Sequence, residues 1–71
     1  MSLNQNQKIL NVLIQRNLFK KNDLSYCLDL TLSDQQLPFE KKIEKIESYL
    51  HELSCIEHKM ATLKNIIDQE K

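Results

Sequence analysis

The last third of the chain carries apolar side chains at Phe39, Ile46, Tyr49, Leu53, Ile56, Met60, Leu63 and Ile67. From Ile46 onward the steps alternate between three and four residues, the spacing that keeps one face of an α-helix apolar. There is no Gly in the 71 residues and the single Pro is Pro38, so nothing interrupts the pattern once it has begun. A helix from Phe39 to Lys71 would run about 50 Å at about 1.5 Å per residue. That is more than short helices upstream could cover, so the stripe calls for a partner. In heptad terms Ile46, Leu53, Met60 and Ile67 take position a, and Tyr49, Ile56 and Leu63 position d. Ile43 and Leu50 broaden the face along its first half, whereas Glu57 and Lys64 fill the equivalent places later. The broad half is expected to pack under the preceding helices, and the narrow half to meet another chain.

The absence of Gly also argues against hairpins of strand, because few positions can take a positive φ cheaply. With 41% hydrophobic and 28% charged residues the chain is foldable, and 71 residues make at most one domain with a small core. Ten basic and ten acidic side chains give a formal net charge of zero, which speaks against nucleic-acid binding by this chain alone. The charges are unevenly placed. Lys8, Arg16, Lys20 and Lys21 precede any acid, and Asp23, Asp29, Asp34 and Glu40 follow with no base among them. This asymmetry reads as a solvated helix face. Two cysteines make no disulfide scaffold, no stretch reads as a signal peptide, and no apolar run is long enough to span a bilayer. A cytoplasmic, reduced protein is expected, without membrane contact.

Taken in order, Ile9, Leu10, Val12, Leu13 and Ile14 form a broad apolar face on a first helix expected over about 5–17. Asn17-Leu18-Phe19-Lys20 reads as a break. Asp23 is placed to cap a second helix over about 23–30, with Leu24, Cys27 and Leu28 on one face. Residues 31–37 form a polar connector, and Pro38 is expected at the first position of a long helix over about 38–70. The expected fold is all-α: two short helices followed by one long helix, hairpin-like, and dimeric through the long helix.

The order of these features resembles the C-terminal half of MerR-family transcriptional regulators. In that family a helix leads through a leucine-glycine-phenylalanine-type turn to a short helix, a polar loop, and a long helix that pairs antiparallel with its mate. The matching stretches are Gln7 to Arg16, Asn17-Leu18-Phe19, Asp23 to Leu30, Ser33 to Leu37, and the stripe itself. Asn17 stands where the family's turn has glycine, and the winged helix-turn-helix is absent. The resemblance therefore implies a connector and dimerisation module that does not itself read DNA.

Little chemistry is visible. His51, Cys55 and His58 share one helical stripe at i, i+4 and i+7, the arrangement that could share a zinc ion, with Glu52 or a partner chain as a further ligand. Their heptad positions f and c place them opposite the seam, facing solvent. Metal-sensing members of the family carry cysteines near the start of the long helix and in a loop after it, and no cysteine stands at that start here. Cys27 reads as a small buried hydrophobe. No Gly-rich phosphate loop or supported Cys–His pair is present, so neither enzymatic activity nor a cofactor is expected.

The sequence therefore points to a non-enzymatic interaction or dimerisation module, the regulatory dimerisation part of a MerR-like regulator or a truncated modulator of one. Its partner is a second copy or another helical protein, met through Tyr49, Leu53, Ile56, Met60, Leu63 and Ile67. The alternative is a small helical-hairpin chaperone or adaptor, as in bacterial secretion systems, that binds a partner's amphipathic helix. A third reading, a helix-turn-helix remnant over Ile9 to Leu32, is opposed by the neutral charge and the lack of a basic second helix.

Overall fold

The computed structural model describes the backbone of residues 2–69, with side-chain surroundings from Gln5 to Gln69. Two helices account for nearly all of it: α1, Ser2–Ser33, and α2, Phe39–Gln69. They have 32 and 31 residues, lie antiparallel, and form a rod of 55 × 15 × 12 Å. The Cα radius of gyration is 16.4 Å, against about 11 Å for a compact domain of this length.

The all-helical hairpin agrees with the sequence, but the two short helices are one. The chain passes through Asn17-Leu18-Phe19-Lys20 as continuous helix, and Asp23 sits inside α1 instead of capping a second helix. The physical reason lies in what the presumed break lacks. It contains no Gly or Pro, and no residue takes a positive φ. Asn17 instead donates its side-chain Nδ2 to the Leu13 carbonyl at 2.7 Å, satisfying its amide along the helix. The expected end near Leu30 also moves, to Ser33. At the other end of the chain α2 starts at Phe39, and the expected end at residue 70 lies outside the described residues.

The connection is built from specific hydrogen bonds. Thr31 donates Oγ1 to the Cys27 carbonyl at 2.8 Å, and the Asp34 N–H donates to the Thr31 carbonyl at 3.3 Å. Asp34 Oδ1 then accepts the Gln36 N–H at 3.0 Å, an Asx turn that reverses the chain. The last turn of α1 has no basic residue of its own, and Lys42 of α2 donates Nζ to the Leu32 carbonyl at 3.2 Å. A cation at that C-terminus answers both the orphan carbonyl and the helix dipole. The Pro38 carbonyl accepts the Lys42 N–H at 2.9 Å, so Pro38 takes the N-cap position and not the first helical one.

Both helices turn a heptad seam inward. On α2 the seam is Lys42, Ile46, Tyr49, Leu53, Ile56, Met60, Leu63 and Ile67; Ile56 is buried at 6% exposure and the others are half-buried. On α1 it is Leu10, Ile14, Asn17, Lys21, Leu24, Leu28 and Thr31, again in alternating steps of four and three. Thr31 is buried, its hydroxyl already bonded to Cys27. Lys21 reaches Glu57 at 4.0 Å, with both side chains well exposed, so the pair adds little stability. Its position in the seam still matters. Polar side chains at Asn17 and Lys21 interrupt the apolar contact midway and oppose sliding of one helix on the other.

Candidate interaction surface

The six residues expected to meet another chain, Tyr49, Leu53, Ile56, Met60, Leu63 and Ile67, all lie in the inward seam of α2. Their neighbour within the chain is α1. Near the open end Leu13 and Asn17 border the same cleft as Thr62 and Leu63, and Leu10 borders another with Ile66. The expected division of the stripe is thus not observed. An unbroken α1 is as long as α2 and runs beside both its halves, which the sequence reading with two short helices could not provide.

His51, Cys55 and His58 are exposed on α2, on the flank that borders the clefts shared with α1. Cys55 Sγ lies 3.9 Å from His51 Nε2. Among the described residues no group of three or more His, Cys, Asp or Glu is arranged to hold a metal ion. Both cysteines are free thiols, Cys27 half-buried and Cys55 exposed. They line opposite walls of an open groove between the helices, about 570 Å³ in volume, which Lys20, His51, Glu52 and Lys59 also border. Among the described residues no helix is long and apolar enough to cross a membrane.

The feature missed in the sequence is the outer face of α1. With Leu10, Asn17, Leu24 and Thr31 at d, position f points away from α2 and carries Val12, Phe19 and Tyr26, while position c on its flank carries Ile9 and Leu30, which also border clefts shared with α2. All five are exposed, Phe19 at 72% and Tyr26 at 63%. Between them, at the same spacing, stand Arg16 and Asp23. Val12, Phe19 and Tyr26 are seven residues apart, a periodicity that was available in the sequence. A break at 17–20 would divide that period between two helices.

The accessible surface of the chain is 5963 Å². A compact protein of this mass, 8.4 kDa, would expose about 4,600 Å². The excess is that of a rod two helices wide, whose outer apolar residues have nothing to pack on. No protein-family model, curated protein or solved structure matches the chain. The surface must be read from its own chemistry.

Proposed function

We propose that this chain is a non-enzymatic protein-interaction module, and that it works through the outer face of α1. The observation that carries the reading is the seven-residue recurrence of exposed Val12, Phe19 and Tyr26 on the side of α1 turned away from α2, with exposed Ile9 and Leu30 on its flank. Burying large side chains of this kind is worth roughly 1.5–3 kcal/mol each, a driving force the isolated hairpin leaves unused. The seam residues from Tyr49 to Ile67 hold the hairpin together and present that face as a rigid ridge. The setting suggested by the MerR-like order of features is regulatory dimerisation. The alternative, an adaptor for a partner's amphipathic helix, would use the same ridge through contacts spaced at i, i+3, i+4 and i+7.

The test compares the tagged chain with Phe19→Asp in its cells of origin. Phe19 is largely exposed, so the variant keeps its helical circular dichroism. Complexes recovered with the original chain, whether with itself or another protein, are lost with the variant. Recovery of the same complexes by a folded Phe19→Asp chain would show that the working surface lies elsewhere.

A further inference from the structure

We infer that the occupant of the α1 outer face is a second copy of this chain, docked antiparallel, α1 against α1, about a twofold axis beside Phe19. This inference names the partner for the interaction surface proposed above and rests on that reading. Its basis is that the face is complementary to itself when reversed, in both apolar and charged residues.

The stripe reads Ile9, Val12, Arg16, Phe19, Asp23, Tyr26, Leu30. Arg16 precedes Phe19 by three residues and Asp23 follows it by four; Val12 and Tyr26 stand seven away on either side; Ile9 and Leu30 stand ten and eleven away. Turning a second copy end for end therefore sets Ile9 opposite Leu30, Val12 opposite Tyr26, and Arg16 opposite Asp23. Each pair occurs twice, as twofold symmetry demands. The two Phe19 rings, both exposed, meet near the axis. A guanidinium and a carboxylate on either side of an aromatic pair fix the register, because a shift by one heptad would leave at least one of them facing an apolar side chain.

The flanks follow the same rule. Along one edge of the stripe lie Lys8, Gln15, Asn22 and Asp29, all exposed. Reversal places Lys8 beside Asp29 and Gln15 beside Asn22. Lys20, near the axis on the other edge, has a long stem that carries its ammonium to water. The uneven charge along α1, basic as far as Lys21 and acidic from Asp23, thereby acquires a role. Antiparallel copies set the basic half of each helix on the acidic half of the other, and a parallel pair would set like on like. The contact from Ile9 to Leu30 extends about 32 Å at about 1.5 Å per residue. An interface of one helix on one helix is narrow, which suits a reversible dimer more than an obligate one.

The test is sedimentation of the full chain from low to high micromolar concentration, with four variants held to the same helical circular dichroism. The original chain should show a monomer–dimer equilibrium, and Phe19→Asp should remain monomeric throughout. Arg16→Asp and Asp23→Arg each set like charges opposite one another twice and should weaken the dimer about tenfold or more. Combining them, R16D/D23R, restores both pairs with reversed polarity and should return the affinity to within about threefold of the original. A double variant as weak as the singles would overturn the antiparallel register, and a dimer that survives Phe19→Asp would overturn the surface. An original chain monomeric at every concentration would overturn the self-pairing alone. The interaction reading would still stand if Phe19→Asp abolished complexes with a different protein, and it would fall separately if those complexes persisted.

Discussion

The two helices are nearly equal in length and share one seam, yet their outer faces differ. Along α2 the outermost heptad position holds Glu44, His51, His58 and Asn65, bordered by Ser48, Cys55 and Thr62. Along α1 the outermost position holds Val12, Phe19 and Tyr26, bordered by Ile9, Arg16, Asp23 and Leu30. A helix apolar inside and polar outside has its surface needs met by one partner; a helix apolar on both sides has not. The difference moves attention from the long stripe of α2, whose cover is α1, to the back of the helix that covers it.

The largest effect should come from removing what the helices share. Ile56→Ala takes the one buried apolar side chain of the described seam and should lower unfolding stability by about 3 kcal/mol, read as a fall in the urea midpoint. For a hairpin with so small a core, that loss should leave much of the chain unfolded at room temperature. Running the same titration at several protein concentrations sharpens the comparison. If the outer face of α1 associates, the midpoint of the original chain rises with concentration, whereas that of Phe19→Asp does not. A midpoint independent of concentration in both would remove the energetic distinction between the two outer faces.

The sequence disclosed α2 far better than α1, for a physical reason. Every seam position of α2 from Ile46 to Ile67 is apolar, so its period stands out against a polar background. The seam of α1 holds Asn17, Lys21 and Thr31 at three positions, and the apolar residues at Val12, Phe19, Tyr26 and Leu30 belong to its opposite side. Two stripes half a turn apart blur each other's period. Asn17 suits a turn and Asp23 an N-cap, because such side chains favour those places when nothing else restrains the backbone. Here the pairing with α2 on one side and the unbroken hydrogen-bond ladder override that preference. The exposed places of His51, Cys55 and His58 followed from the α2 heptad directly. The outer stripe of α1 required knowing that residues 17–22 are helical.

A smaller effect, of opposite sign, is expected at Lys21. This side chain occupies a half-buried seam position and gains only a long, exposed contact with Glu57. Lys21→Leu should raise stability by about 1 kcal/mol by adding apolar packing to the seam, at some loss of register control. Because Lys21 faces α2, self-association through the other side of α1 should be unchanged. A dimer weakened by this inward substitution would mean that the two faces of α1 do not act independently.

The smallest effect should come from the exposed histidines and cysteine of α2. His51 and Cys55 lie within 3.9 Å of each other, and His58 follows one helical turn later on the same exposed side. All three are exposed, and among the described residues they are not arranged with one another or with a nearby carboxylate to hold a metal ion. Replacing them together, as His51→Ala, Cys55→Ser and His58→Ala, should change unfolding stability by no more than about 0.5 kcal/mol, as for ordinary surface positions. The concentration at which the chain associates should stay the same. Zinc provides the sharper version of the test. A stoichiometric addition should leave the thermal midpoint of the original and of the triple variant alike, since a bound metal would stabilise the folded state by mass action. A rise confined to the original chain would give α2 a ligand, and the two helices would then each carry a working surface, one apolar and one metal-binding.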